Sequence, residues 1–382
     1  MYEVIVAANP NTLAARVRQA IVASGMSQQA LAERIGMDPT ALSKILTGKR
    51  RLSSLELALI ADATAVRVDE LLDPGRHAGP HVAARTQRDK SPAVDEALRR
   101  VDDFLEIDAL LCDLGLSAPV SSLPAPVIDG TYREQARELA RSVRELAGIG
   151  DGYIEELASF CENRLGVDVA VESLPPGLDG LSVSRGNYRL ALVSSAIPAT
   201  RQRYTLAHEI GHLAADDTQD VMIDEDLFGD AEQEKRANVF ASSFLMPESS
   251  LRRAMGTAGL VEASIGDMLA NYKVSLDALA WQLFSVRLVD KAGRERVRQL
   301  SSRKLSLLAG HAAEYQRQLQ DHGQRRLPSG LLRRAIEAYN KGGIGVRVLA
   351  RLAEIPPEML LEQLSAPPVS DSDDENDHVP IV

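Results

Sequence analysis

Long hydrophobic runs, cysteines and aromatic side chains are all scarce in this sequence of 382 residues. No apolar run approaches the roughly 20 residues that a helix needs to span a bilayer, so we expect no membrane segment. The opening MYEVIVAANPN lacks the basic start and the apolar stretch of a signal peptide. Cys112 and Cys161, the only two cysteines, lack CxxC spacing and fit buried free thiols in a reducing compartment. These absences predict a cytoplasmic protein.

Aromatic residues make up only 4% of the chain, so its cores must rest on Leu, Ala, Val and Ile, and the Leu- and Ala-rich segments favour helix. The length accommodates two or three domains. We therefore predict an α+β fold that is mostly α. Its parts are an N-terminal five-helix domain at 1–74, a linker and connecting helix at 75–130, a domain with a small three-stranded sheet at 131–290, a C-terminal helical module at 291–366 and a disordered acidic tail at 367–382.

The small sheet is predicted from three runs of β-type residues in the middle of the chain. Gly186-Asn187 supplies a hairpin turn between the last two runs. Helical patterns surround them, and Gly166 is placed to end the helix that precedes the first strand. The predicted strands are 167–173, 180–185 and 188–194, and the predicted helices nearby are about 93–115, 131–147, 152–165, 200–215 and 231–246.

The segment SGMSQQALAERIGMDPTALSKILTGKRRLSS at 24–54 has the pattern of two short helices joined by a tight turn. Ser27 and Asp38 are suitable N-caps for the two helices, and Gly36 permits the turn between them. Apolar residues of the second helix would face inward, which leaves a polar face for the major groove of DNA. The predicted DNA contacts are Gln28 at the start of the first helix, Thr40, Ser43 and Lys44 on the second, and Lys49 and Arg50 after it.

Local charge agrees with this interpretation although the whole chain has a net charge of −11. Residues 1–51 carry seven basic and three acidic side chains, hence +4, and the other 331 residues carry −15. The motifs S-Q-x-x-L-A-x-x-x-G and L-S-K-I-x-x-G resemble those of lambda-repressor-like (XRE) domains over about 60 residues. The resemblance implies a double-stranded DNA operator as partner. A helical bundle used only for protein contacts is the alternative.

A second motif, His208-Glu209-Ile210-Gly211-His212, lies in RQRYTLAHEIGHLAADD at 201–217. On a helix, residues four apart share a face, so both imidazoles can reach one metal ion. Glu209 is placed beside them to take a proton from a water molecule on that metal. The pattern predicts a zinc (Zn²⁺) site with Glu209 as the catalytic base. The alternative is that the two histidines are surface residues of a helix whose spacing is incidental.

A third protein ligand is required if the fourth position is to stay open for water. Glu234 is our choice, because it lies one turn before the apolar face of the helix at 231–246. Asp216 and Asp217 follow His212 so closely in sequence that neither can readily reach the metal unless the helix ends there. Glu232 is the remaining rival, and Asn238, four residues after Glu234, is a candidate to hydrogen-bond a ligand.

The chain here resembles the ImmA/IrrE family of zinc metallopeptidases over roughly residues 150–290. The motifs R-Q-R-Y-T-L-A-H-E-I-G-H-L and E-K-R-A-N-V-F-A-S-S-F-L-M-P carry the resemblance, with D-G-L-S at 179–182. It implies a zincin-like domain with zinc on His208, His212 and Glu234 and with Glu209 as the catalytic glutamate. Two departures are Arg236, for which we predict no effect on the metal, and Val193-Ser194, where relatives often have an apolar-Asn pair.

Together the motifs predict a DNA-binding transcriptional regulator that carries a zinc endopeptidase. The family resemblance implies that a repressor or antitoxin-like partner is cleaved, and self-cleavage in the polar linker at 73–91 is a variant of this hypothesis. The alternatives are a zinc-dependent sensor-repressor that cuts nothing and an antitoxin-type regulator. The C-terminal module offers a surface for homodimerisation or partner docking, and the sequence leaves both options open.

Overall fold

The computed structural model describes residues 10–24, 26–47, 49, 50, 52–64, 71, 92–127, 129–217, 222–224, 232–256, 260–320 and 323–365. By its internal contacts the chain divides into two compact units, Met1–Ala84 and Arg85–Val382. The predicted linker at 73–91 and the acidic tail at 367–382 lie outside the described residues. None of the described helices combines the length and apolar character that crossing a membrane requires.

The first unit is a small helical bundle around Leu31, Leu42 and Ile60, which are buried. The two predicted N-caps are confirmed: the side chains of Ser27 and Asp38 accept backbone N–H hydrogen bonds from the first turns that follow them. Of the predicted fifth helix, only Leu71 is among the described residues. The helices are α1 (Pro10–Ala23), α2 (Gln28–Arg34), α3 (Pro39–Leu46) and α4 (Ser54–Thr64).

Helices precede the sheet in the second unit, close to where the sequence predicts them. A capping box fixes the start of the second of them, since Thr131 and Glu134 satisfy each other's backbone N–H groups. The third begins later than predicted and continues as a π-helical turn, Cys161–Leu165, which ends at Gly166 with a φ of 67°. These helices are α5 (Pro92–Asp113), α6 (Tyr132–Leu146) and α7 (Leu157–Phe160).

The sheet contains the three predicted strands and a short fourth one, in the order β1-β3-β2-β4. β1 and β3 are parallel, with Asp168 opposite Leu190, whereas β2 is antiparallel to both of its neighbours. The fourth strand covers the outer edge of β2 at residues 180–182. Their bounds are β1 (Asp168–Glu172), β2 (Gly180–Arg185), β3 (Tyr188–Ser194) and β4 (Met222–Asp224).

Two helical layers sandwich the sheet, because its strands are apolar on both faces. Val169, Ala191 and Val193 point into one core, which is shared with α6 and the later helices of the unit. Ala170, Leu190 and their neighbours point into the other core, which is shared with α5 and two C-terminal helices. The mostly helical α+β class is thereby confirmed. The domain boundaries at 130 and 290 stay predictions, although helices from beyond each of them share these cores.

The helices that follow β3 complete both layers. The side chain of Ser275 caps the helix after it by accepting a hydrogen bond from the Ala278 N–H. The bounds are α8 (Ala199–Ala214), α9 (Glu232–Leu245), α10 (Glu248–Met255), α11 (Glu262–Tyr272), α12 (Leu276–Ser285), α13 (Lys291–Arg298), α14 (Ser302–Leu308), α15 (Ala312–Gln320), α16 (Ser329–Asn340), α17 (Val346–Ala353) and α18 (Pro357–Ser365).

The two cysteines differ in exposure. Cys161 is buried as predicted, and burial raises the pKa of its thiol. The prediction is wrong for Cys112, which is exposed because it lies on the outer side of the last turn of α5.

A buried carboxylate holds the start of α16 to the π-helical turn that precedes the sheet. Glu162 accepts hydrogen bonds from Arg326 Nη1 at 2.7 Å and from the Ser329 N–H, at the start of α16, at 2.8 Å. Burial raises the pKa of Glu162, but these hydrogen bonds outweigh it and hold the pKa below its ordinary value of 4.5. A carboxylate with a lowered pKa stabilises the fold above its ordinary pKa, and this contribution is lost as the pH falls below 4.5.

We therefore predict that Glu162→Gln destabilises the second unit by about 2–4 kcal/mol at pH 7, because it leaves Arg326 without its anionic partner. Trp281 is the only tryptophan, so its fluorescence during urea unfolding reports on this unit alone. The difference in unfolding free energy between the two proteins should shrink below pH 4.5, where the wild-type protein loses the stabilisation from ionised Glu162. Glu138→Gln, which removes an exposed ion pair with Arg141, should change stability little. An equal effect of the two substitutions would contradict the prediction.

Candidate metal centre

Helix α8 carries the histidine motif into the interior of the second unit. Every residue from Thr205 to Ala214 is buried, and His208, Glu209 and His212 are at most 1% exposed. Leu206, Ile210 and Leu213 of the same helix lie in the core that covers one face of the sheet. The motif therefore lies on a rigid helix that is packed on several sides.

Helix α9 packs closely against α8 where Gly211 lies. A Cβ atom on Gly211 would lie 2.9 Å from Phe240 Cδ1 and 3.3 Å from Ala237 Cα, closer than ordinary contacts. Glycine at the centre of the motif thus lets the two helices approach. The first turn of α9 then brings Glu234, whose side chain is 13% exposed, to the two histidines.

Three candidate donor residues meet at this point. His208 Nε2 and His212 Nε2 are 3.0 Å apart, and Glu234 approaches them with Oε2 at 3.2 Å and Oε1 at 3.4 Å, respectively. Ligands at 2.0–2.1 Å around a tetrahedral zinc ion would be separated by about 3.3 Å. The donor set and its spacing therefore fit a zinc ion, with two imidazoles and one carboxylate.

Glu209 lies beside this donor set, between α8 and β2. A Cβ atom on Gly180 would lie 3.2 Å from Glu209 Oε1 and 2.6 Å from Thr205 Cγ2. The absence of a side chain at Gly180 therefore leaves the space that the glutamate occupies. Gly180 is one of three β2 residues that pair with the edge strand β4, so Glu209 is close to this edge of the sheet.

The first unit presents the residues predicted to contact DNA on its surface. The side chain of Arg50 is 43% exposed, and its Nη2 lies 2.8 Å from Glu56 Oε1, which neutralises part of its charge. Asp38 caps α3 at its outer end and accepts a hydrogen bond from the Thr40 N–H at 2.8 Å. All six predicted contacts are exposed: Gln28, Thr40, Ser43, Lys44, Lys49 and Arg50.

Comparison with known families gives one match for each of these regions. Residues 17–71 match the family model described as helix-turn-helix, and residues 162–284 match that of a peptidase family described as the IrrE N-terminal-like domain. The chain therefore has a region similar to helix-turn-helix domains, followed by a region similar to the IrrE N-terminal-like domain. No curated protein gives a significant match to the chain. The IrrE-like match includes α8, α9 and β1–β3, and hence the three donor residues and Glu209.

The rivals to Glu234 lie elsewhere around the IrrE-like site. Glu232 and Asp216 are exposed. Helix α8 ends soon after His212, which is the condition under which a following aspartate can approach the histidine. Asp217 is the aspartate that does approach it. Its Oδ2 lies 3.1 Å from His212 Nδ1, the ring nitrogen that faces away from Glu234, so Asp217 contacts a candidate ligand instead of joining the candidate donor set.

Two residues near the site show features that the sequence did not indicate. Arg236, for which the sequence predicted no effect on the metal, binds Asp217 through Nη2. Asn238, a candidate to hydrogen-bond a ligand, accepts a hydrogen bond from Tyr204 Oη on its backbone oxygen at 3.0 Å. Neither contact could be predicted from the spacing of residues in the sequence, because both depend on how α8 and α9 pack.

Electrostatics keep the carboxylate of the donor set ionised. Burial raises the pKa of Glu234, but hydrogen bonds with His208 and His212 outweigh it and lower the pKa to about 2. Burial lowers the pKa of His212, but hydrogen bonds with Asp217 and Glu234 raise it to about 10. A cation is therefore strongly favoured between the imidazoles and Glu234, and a metal ion that binds there displaces a proton.

We predict that Gly211→Ala destabilises the second unit by about 1–3 kcal/mol and weakens metal binding, because the added methyl group forces α9 away from α8. Urea unfolding followed by Trp281 fluorescence and zinc titration measure the two effects. Gly345→Ala is the matched control, since no atom lies within 4 Å of a Cβ at that position. A Gly211→Ala protein as stable and as competent in zinc binding as this control would refute the close helix approach.

Proposed function

We propose that this chain is a DNA-binding transcriptional regulator whose zinc-dependent endopeptidase domain cleaves a regulatory protein and so switches gene expression. The substrate is a partner repressor or antitoxin-like protein, or the chain itself within the linker at 73–91. The convergence of His208, His212 and Glu234 beside the buried Glu209 carries the proposal. The helix-turn-helix and peptidase matches support its two halves.

His208, His212 and Glu234 would hold the zinc ion, leaving one position open for water or substrate. When bound, zinc supplies a Lewis acid that polarises the scissile carbonyl and acidifies water. The protein contributes a donor set on rigid supports, because both histidines lie on one packed helix and Glu234 on another. Fixed ligands reduce the reorganisation that the reaction requires.

Glu209 is the general base in this proposal. Its carboxylate accepts the proton of the attacking water molecule and then passes that proton to the leaving amine of the cleaved peptide bond. Glu209 lies on the same helix as the two histidines, and the space left by the missing side chain at Gly180 accommodates its carboxylate. Peptide hydrolysis is balanced by these transfers, since water adds OH to the carbonyl carbon and H to the nitrogen.

The substrate is proposed to bind as an added strand next to the sheet. The edge of β2 is the relevant one, because Gly180 lies both on this edge and against Glu209. β4 pairs with the same edge through residues 222–224. A substrate strand that pairs with Gly180–Ser182 therefore has to replace β4 there.

The helix-turn-helix unit would bring this activity to DNA. Its exposed polar face on α3 suits base contacts, while Lys44 and Lys49 suit phosphates. The local charge of +4 over residues 1–51 favours DNA in spite of the acidic remainder of the chain. A homodimer that reads two half-sites is a further element of the proposal.

A zinc-dependent sensor-repressor is the second candidate, because it would need the same three donors. Binding of a structural metal requires His208, His212 and Glu234 but has no use for Glu209, which is completely buried at a cost in desolvation. The presence of that glutamate favours the peptidase.

We predict that Glu209→Gln abolishes cleavage while zinc binding persists. Removing a general base should slow peptide hydrolysis by a factor of about 10²–10⁴, whereas the metal ligands are untouched. The measurement compares new protein N-termini, by mass spectrometry, in cells that produce either full-length protein, and zinc content after purification. About one zinc per chain is expected in both.

His212→Ala serves as the matched variant, because it should lose zinc and cleavage together. If wild type and Glu209→Gln both hold zinc, produce the same N-termini and regulate alike under every inducing condition, the sensor-repressor replaces the peptidase. A self-cleaving protein would show a new N-terminus within 73–91 in wild type alone.

We also predict that Lys44→Ala and Lys49→Ala each weaken binding to a mixed-sequence 30-base-pair duplex. Each should lower the slope of log affinity against log salt by about one, as expected for the loss of one phosphate contact. Fluorescence anisotropy at several salt concentrations measures both quantities. Lys291→Ala, an exposed lysine in the second unit, should leave both unchanged. Identical slopes for all four proteins would exclude α3 and its flank as the DNA surface.

A further inference from the structure

The backbone reverses direction directly after α8, and this reversal determines where Asp217 lies. Five residues further along a continuing helix, Asp217 would be rotated by about 140° from His212. Instead the helix ends at Ala214, and Asp216 adopts a positive φ of 55°. The Asp217 N–H then donates to the His212 carbonyl oxygen at 3.1 Å, so the chain folds back over the last turn.

Both oxygens of the Asp217 carboxylate have a defined partner as a result. Oδ2 lies 3.1 Å from His212 Nδ1, and Oδ1 accepts a hydrogen bond from Arg236 Nη2. The side chain of Asp217 is only 7% exposed and that of Arg236 18% exposed. Solvent screening is therefore weak at this carboxylate, and its position is fixed from two sides.

Arg236 is itself held by a third helix. Its Nη1 donates to Gln135 Oε1 on α6 at 3.3 Å. A continuous path of contacts thus runs from α6 through Arg236 on α9 and Asp217 to His212 on α8. Since Glu234 and Arg236 lie on the same turn of α9, this helix contributes both a donor to the site and the residue that fixes Asp217.

We propose that Asp217 and Arg236 are positioning residues for the metal centre. Asp217 accepts the proton on His212 Nδ1 and so keeps Nε2, the nitrogen that faces His208 and Glu234, as the one that a metal ion would take. Arg236 acts through Asp217, because it prevents the carboxylate from rotating away from the imidazole. This inference rests on the metal site of the proposed function, but it requires no peptidase activity.

The test is a zinc competition titration of the full-length chain against a chromophoric chelator, together with the absorption spectrum of the cobalt-substituted protein. Asp217→Ala should weaken zinc binding about 10–100-fold and change the cobalt spectrum. Asp217→Asn keeps an acceptor for His212 but loses the charge that binds Arg236, so its affinity should fall between those of wild type and Asp217→Ala. Arg236→Met should also weaken zinc binding, and adding it to Asp217→Ala should have no further effect.

Asp108→Asn is the matched control, because it likewise removes a buried carboxylate paired with an arginine, here Arg334 at 2.7 Å. That pair lies in the core on the other face of the sheet, so zinc affinity should be unchanged even if stability falls. If Asp217→Ala fails to fold, the comparison of Asp217→Asn with Asp108→Asn decides.

Zinc affinity and a cobalt spectrum equal to those of wild type in the Asp217 variants would overturn the inference and leave the metal site standing. A wild-type protein that binds no zinc would overturn both. Additive losses in Asp217→Ala and Arg236→Met would overturn the role of Arg236 through Asp217.

Discussion

The close packing of α8 against α9 is the constraint on which the site depends. Gly211 lies under Phe240, and only hydrogen is accommodated at that point of contact. If the helices were separated by the width of a methyl group, Glu234 would move away from the two imidazoles, since it is carried by the first turn of α9. The three donors are thus brought together by core packing, and the same apolar cluster supports the helix that carries the histidines.

Three carboxylates surround the histidines, and the surroundings of each one differ. Glu234 faces both Nε2 atoms and remains ionised, as a metal donor requires. Asp217 faces the opposite nitrogen of His212 and is tied to Arg236. Glu209 projects toward the sheet, where the lack of a side chain at Gly180 makes room for it. In the proposed function, environment rather than residue type separates the metal donor, the positioning residue and the general base.

The fold and the centre of the site could be predicted from sequence because they rest on local signals. Helical periodicity indicates α8 and α9, and a spacing of four residues brings His208 and His212 to one face. Glu234 follows from the inward face of its helix. Asp217 could not be assigned, because its position depends on the left-handed backbone at Asp216 and on the arrival of Arg236 from another helix.

Two other features of the fold could not be predicted from the sequence, for different reasons. β4 has three residues, too few for an alternating pattern to indicate a strand. The covering of the second sheet face by α5 and α16 involves contacts between residues more than 200 positions apart, such as Arg334 with Asp108. Apolar residues on both sides of β1 and β3 were consistent with such a layer but did not say which helices form it.

X-ray absorption at the zinc edge shows whether two imidazoles and one carboxylate of this chain bind zinc, as we propose. For purified full-length protein with one equivalent of zinc, we expect nitrogen and oxygen ligands at about 2.0–2.2 Å, including the scattering of two histidine rings. His208→Ala should remove one of these rings. A sulfur shell at about 2.3 Å, from Cys112 or Cys161, or a histidine contribution that His208→Ala leaves unchanged, would contradict zinc binding by these three residues.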